Sequence, residues 1–357
     1  MRAYSFDVYK APQPLVKSVS YCGTEDLSDT TLNGLKVDVD AIHFARDLVN
    51  EPANELPPLK MAARVISACE EAGIKTQLLD QKALQKEGMG LLLGVGQGSD
   101  NPPCAVVMTI GKGKSAPAAL IGKGICFDTG GVNVKSVMGM WEMKGDMAGA
   151  AVVTSAMLSL AKNGFKGDIV AVIGLAENMT GGSAIRPGDI LRSYNGQTVE
   201  VRNTDCEGRL VLADCLSYAQ RQLGARKVID IATLTYAVQI GLGTRYAGIY
   251  GNAETLLSSV KQAADSACEL VWPMPIDEAF HAQLKSDFAD MLNWPGVTYG
   301  NASIAAAFLE NFIDDGVEWA HIDVGGPAYA GAESAFAPPG GTGFGTETLA
   351  NLARLIA

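Results

Sequence analysis

The octapeptide NTDCEGRL at 203–210 sets a cysteine between two acids and follows them with an arginine. Those residue types fit two chemistries: Cys206 as a nucleophile helped by its neighbours, or Asp205 and Glu207 as a cation-binding pair. A nucleophilic thiol needs a base beside it. The chain has only three histidines, at 43, 281 and 321, and none lies near Cys206 in sequence. In an extended chain an i, i+2 pair points to one side and the residue between them to the other. That spacing pairs Asp205 with Glu207 and turns Cys206 away as buried filler. Two carboxylates held close repel each other unless a cation neutralises them.

A second cluster lies in LIGKGICFDTGGVNVKSVMGMWEMKGDMAGAA, 120–151. Lys123 and Asp128 come directly after an apolar run, Lys135 follows a Gly-Gly turn, and Asp146 opens a helix of small residues. Singly, each reads as a surface lysine or an N-cap aspartate. Together they add two carboxylates to the first pair, and four carboxylates come close to balancing two divalent cations. With so few histidines, a metal site here must be built mainly from oxygen. The seven cysteines, at 22, 69, 104, 126, 206, 215 and 268, contain no C-x-x-C pair. They form neither a disulfide framework nor a zinc finger, and they suit a reducing compartment. GVGQG (94–98) misplaces the third glycine of a dinucleotide loop, Gly113-Lys114-Ser115 lacks the glycine that opens a P-loop, and H-E-x-x-H is absent.

The elements that must position these residues alternate. Apolar runs at 77–79, 91–95, 105–110, 118–122, 169–175, 228–233 and 319–324 predict buried strands, and TVEV (198–201) a further one. Helices are expected over 38–49, 59–72, 146–163, 208–223, 253–268, 304–314 and 346–356. Such alternation predicts an α/β fold, a mixed, largely parallel central sheet flanked by helices. Ligands gather beyond the carboxyl ends of such strands, where both polar clusters fall. Residues 1–36 read as an irregular N-terminal segment, with possible strand character from Ala3 to Tyr9, and 37–357 as one catalytic domain. A hydrophobic share of 48% with 19% charged residues describes a water-soluble chain. A net charge of −11 without a basic cluster argues against nucleic-acid partners. No run reaches the ~20 apolar residues of a membrane span, and the start lacks a signal-peptide core, so a cytoplasmic protein is expected.

The motifs resemble those of a known family. NTDCEGRL is similar to the NTDAEGRL signature of the leucyl aminopeptidases, also called cytosol aminopeptidases, metallopeptidase family M17. GKGICFDTGGVNVK and MKGDMAGAA resemble its other two metal-site segments, in order and spacing. RDLVNEPAN, AENMTGGSAIRPGDIL, IATLT, WAHIDVGGPA and GGTGFGTETL extend the resemblance over nearly the whole chain. It implies two divalent metal ions, zinc or manganese with magnesium or cobalt as alternatives. Lys123, Asp128, Asp146 and Glu207 would hold one, and Asp128, Asp205 and Glu207 the other. It further implies that Lys135 polarises the scissile carbonyl, that Arg209 holds a bicarbonate acting as general base, and that Met143, Thr233 and Leu234 lie near the pocket for the first side chain. Expected substrates are peptides with a free N-terminus and an apolar first residue such as Leu or Met, and the expected assembly is a homohexamer.

Three departures stand out: Cys206 for the family's alanine, Tyr236 for a glycine after LT, and VGGPA (324–328) for IAGTA. Family members usually carry a further N-terminal α/β domain, and this chain starts near where that domain would end. A catalytically silent oligomeric scaffold is the alternative reading, disfavoured by the intact seven-residue site. A DNA-binding regulator and a two-metal phosphatase are weaker still, for want of basic side chains.

Overall fold

The apolar runs assemble into an eight-stranded sheet in a computed structural model that describes residues 4–10, 27–111, 118–331 and 338–357. In chain order the strands are β1 Lys75–Leu79, β2 Cys104–Ile110, β3 Ala118–Asp128, β4 Ile169–Asn178, β5 Ile190–Arg192, β6 Thr198–Glu200, β7 Lys227–Ala232, β8 Tyr246–Gly251, β9 Leu270–Pro273, β10 Met291–Leu292 and β11 Glu318–Asp323, followed by a two-residue pair, β12 Tyr329–Ala330 with β13 Gly340–Gly341. The large sheet runs β1-β2-β4-β3-β7-β11-β8-β9, and β10-β6-β5 form a small second sheet. The four central strands β4, β3, β7 and β11 are mutually parallel, while β1, β2 and β8 pair antiparallel to their inner neighbours.

Helices cover both faces, which explains the lack of polar alternation in the central strands: all ten residues of β4 are buried. Asp29–Asn50, Pro58–Glu71, Ala148–Lys162, Glu254–Ser266 and Thr346–Ile356 pack on one face. Gly90–Gly96, Gly208–Arg221 and Asn301–Glu310 pack on the other. Ala148–Lys162 is buried from 148 to 160, so its small residues let it lie directly on β3 and β7. Among the described residues no helix is long and apolar enough to cross a membrane.

The structure corrects several expectations. Residues 91–95 are helix, not strand, within Gly90–Gly96. A five-residue apolar run has no period to distinguish the two, and here Asp214 accepts the backbone N–H groups of Leu91 and Leu92, both at 2.9 Å, capping the helix from a distance. The first helix begins at Asp29 rather than 38, because the Ser28 hydroxyl accepts the Thr31 N–H. Residues 4–9 are not a strand. Tyr4 is held instead by side chains, with its hydroxyl bonded to Asn50 and its ring under the Arg46 guanidinium. Ala3, Cys22 and the 113–115 tripeptide lie outside the described residues. Strands β8 and β9 carry aromatic and glycine residues and were not expected from the sequence.

Candidate metal and active site

Four adjacent parallel strands end at the site. Asp128 is the last residue of β3, Asn178 of β4 and Asp323 of β11, and Thr233 follows β7. Lys123 projects from within β3, Asp146 precedes the Ala148–Lys162 helix, and Glu207 is the N-cap residue of Gly208–Arg221. The two sequence clusters are laced together by Asn133 and Thr204. Thr204 Oγ1 donates to the Gly130 carbonyl at 2.6 Å and accepts the Asn133 N–H at 2.9 Å, and Asn133 Oδ1 accepts the Thr204 N–H at 2.8 Å. Sequence reading singled out neither residue.

All ten expected site residues, Lys123, Asp128, Lys135, Met143, Asp146, Asp205, Glu207, Arg209, Thr233 and Leu234, line one cleft of about 580 Å³. Asp128, Asp146 and Glu207 converge so that one carboxylate oxygen from each lies within 4.8 Å of the others, and all three are buried. Asp205 stands beside them at the cleft, half-buried, its side chain 31% exposed. The Lys123 ammonium lies 2.8 Å from Asp146, 3.0 Å from Glu207 and 2.9 Å from the Thr233 carbonyl. Lys135 lies 2.8 Å from Asp128 and 2.5 Å from Asp205.

Four carboxylates thus share two ammonium groups. Burial works against both lysines' charge, but Asp146, Glu207 and Asp128 around Lys123, and Asp128, Glu207 and Asp205 around Lys135, outweigh it and hold both pKa values up. Burial and the like charge of Glu207 push Asp128 up, and burial takes Asp146 to about 6. Asp205 is also raised by burial and by Glu207. Glu207 goes down, because the two lysines overcome its burial. Negative charge is in surplus here, and the donors are hard oxygens, which fits divalent cations. Lys123 could serve as a nitrogen ligand only by giving up the proton its neighbours now retain, so cation binding there would release a proton.

Two asparagines position site residues, Asn178 the acids and Asn293 the arginine, and sequence reading missed both. Asn178 Nδ2 donates to Asp128 Oδ1 at 2.8 Å and to the Thr204 carbonyl at 3.0 Å, and lies 3.5 Å from Glu207. Polar residues, Glu177 and Asn178, closing an otherwise apolar strand were its available signal. Asn293 holds Arg209, its carbonyl accepting from Nη1 at 2.7 Å. It arrives from 84 residues away with no local signal. Arg209 is buried, and its Nε lacks a hydrogen-bond partner. A buried guanidinium with unspent donors fits an anion such as bicarbonate.

The alternation that would turn Cys206 away from the acids does not apply, because the chain turns there, with the Cys206 N–H bonded to the Asn203 carbonyl at 3.2 Å, and Cys206 is among the residues that line the cleft. Its reading as a non-nucleophile survives on other grounds. Burial raises the thiol to about 11, and no histidine lines the cleft. Tyr236 stands at the rim, 74% exposed.

Comparison with known proteins identifies the family and the fold. The model of the cytosol aminopeptidase family, catalytic domain, matches residues 43–350. A probable cytosol aminopeptidase of Gluconobacter oxydans is 42% identical over 98% of this chain and 72% of its own length. One from Rhodopseudomonas palustris is 43% identical over 99% and 72%. Among solved structures, the bottromycin maturation enzyme BotP in complex with Mn superposes with a TM-score of 0.92 at 35% identity, over 99% of this chain and 76% of that one.

Proposed function

This chain belongs to the cytosol aminopeptidase family, and we propose that it is a metal-dependent exopeptidase that removes apolar N-terminal residues, Leu or Met above all, from peptides. The observation that carries the reading is the convergence of Asp128, Asp146 and Glu207 within 4.8 Å, beside two lysines. Lys123, Asp128, Asp146 and Glu207 would hold one divalent cation and Asp128, Asp205 and Glu207 a second. When bound, the pair supplies Lewis acidity toward the substrate carbonyl and lowers the pKa of a water. Zinc or manganese suits the donors.

The remaining work belongs to the chain. Lys135, held cationic between Asp128 and Asp205, donates to the carbonyl oxygen as negative charge develops on it. Arg209, anchored by Asn293, keeps an unspent Nε donor that would hold a bicarbonate, and such an anion would supply a general base for the attacking water. Asn178 keeps Asp128 and Glu207 in register. Met143, Thr233 and Leu234 line the cleft, and the first side chain would lie beside them. The proposed substrates are peptides with a free N-terminus. A homohexamer in the cytoplasm completes the proposal.

The test compares leucine p-nitroanilide with its N-acetyl form on manganese-loaded protein. Hydrolysis of the free amine alone supports the reading. Equal hydrolysis of both, or of neither, would overturn it.

A further inference from the structure

The segment Thr233 to Tyr236 lines the cleft, and one buried side chain gathers several of its hydrogen bonds. Asp323, at the end of β11, is fully buried. Its Oδ1 accepts three backbone N–H groups, from Leu234 at 3.1 Å, Thr235 at 3.4 Å and Gly325 at 3.1 Å. Its Oδ2 accepts the Thr235 hydroxyl at 2.7 Å. That hydroxyl in turn accepts the Val238 N–H at 3.1 Å, capping the short helix Tyr236–Leu242, which carries Tyr236 and Gln239 into the cleft wall. Next along, Gly325 lets the loop sit close, since a Cβ there would meet the Thr235 carbonyl oxygen at 2.4 Å.

We propose that Asp323 is the specificity-determining positioning residue of this cleft: it touches no substrate but fixes Leu234 and Thr235, and through them the wall that reads the first side chain. The inference rests on the aminopeptidase reading for its kinetic test. The loop is continuous with the reacting centre, since Thr233 accepts from Lys123 through its carbonyl and donates its hydroxyl to Asp146 at 2.7 Å. Without Asp323 three N–H groups lose their acceptor together, and the wall is left to the cap alone. A wall displaced by about 1 Å is enough to change rates on the order of 10²-fold.

Asp323→Asn keeps an oxygen for the three N–H groups and turns the fourth bond around, so it conserves the geometry without the charge. Asp323→Ala removes all four bonds. The experiment measures kcat/KM for alanine, leucine and phenylalanine p-nitroanilides on wild type and both variants, with hydrogen exchange of the 230–240 segment. A methylene in an apolar pocket is worth about 10-fold or more, so wild type and Asp323→Asn should keep that spread. Asp323→Ala should compress it to within about threefold, chiefly through a higher KM for the preferred substrate, and within 230–240 speed exchange at Leu234 and Thr235. A merely structural role would reduce active protein equally for all substrates and leave the spread intact, which would overturn the proposal. Should Asp323→Ala fail to fold, Thr235→Val, which deletes the hydroxyl bond to Asp323 together with the cap on Val238, must compress the spread in the same direction. If wild type cleaves no anilide, the aminopeptidase reading fails by itself, and exchange decides: faster exchange in Asp323→Ala but not in Asp323→Asn supports the positioning role, and equal exchange in all three refutes it.

Discussion

Gly208→Ala isolates the placement of Lys123 from its charge. Gly208 opens the helix that follows Glu207, and a Cβ there would lie 2.5 Å from Lys123 Cε and 2.7 Å from Cδ and Nζ. Carbon atoms in contact sit about 3.5–4.0 Å apart, so something must move by about 1 Å. Lys123 is 3% exposed, and its ammonium is pinned by Asp146, Glu207 and the Thr233 carbonyl at 2.8–3.0 Å. Either the lysine leaves those partners or the helix start shifts and takes Glu207 and Arg209 with it. A 1 Å displacement at reacting groups costs on the order of 10²-fold in rate. Stability should change far less. Overpacking costs about 1–3 kcal/mol, and replacing a helical glycine by alanine returns about 0.5–1 kcal/mol. For 357 residues the unfolding entropy is about 0.75 kcal/mol/K, so the net cost lowers Tm by only about 1–3 °C. Anilide hydrolysis with manganese, beside a thermal melt in chelator, separates the two effects. A variant with kcat/KM within threefold of wild type would refute the claim that Lys123 must occupy this place.

Other outcomes follow from the same coordinates. Cys206→Ala should retain most activity, and wild-type Cys206 should resist alkylation at neutral pH, because burial holds the thiol near 11; loss of activity in the variant would restore the nucleophile reading. Arg209→Met should lose on the order of 10²-fold or more in kcat, the usual worth of a positioned general base. Added bicarbonate should stimulate wild type but not that variant. Asp214 is fully buried and pushed up to about 7 by burial, against the three backbone N–H groups it accepts. A carboxyl with a raised folded pKa contributes stability below its unfolded value, lost as pH rises through the folded one. Urea unfolding should therefore show wild type losing stability from pH 4 to 8 relative to Asp214→Asn, by up to about 4 kcal/mol at 1.36 kcal/mol per unit; parallel curves would contradict the assignment.

What the sequence disclosed depended on how local the signal was. The central strands were legible because burial on both faces leaves unbroken apolar runs, and the residues gathered in the cleft because polar side chains stand out at the ends of those runs. Leu91–Val95 misled because its helical state comes from Asp214, more than a hundred residues away, rather than from any period of its own. Cys206 misled because alternation assumes an extended chain, and residues 203–206 form a turn. Asn178, Asn293, Thr204 and Asp323 act by holding other groups through long-range hydrogen bonds. Residue type alone does not distinguish such partners from ordinary polar positions.

The central claim is that Asp128, Asp146, Asp205 and Glu207 form a two-cation site. Equilibrium dialysis against manganese, with metal analysis of wild type and Glu207→Gln, tests it most directly, since Glu207 would serve both ions. The account predicts two ions per wild-type chain and at most one, more weakly held, in the variant; a wild type that binds none, or a variant that still binds two as tightly, would contradict it.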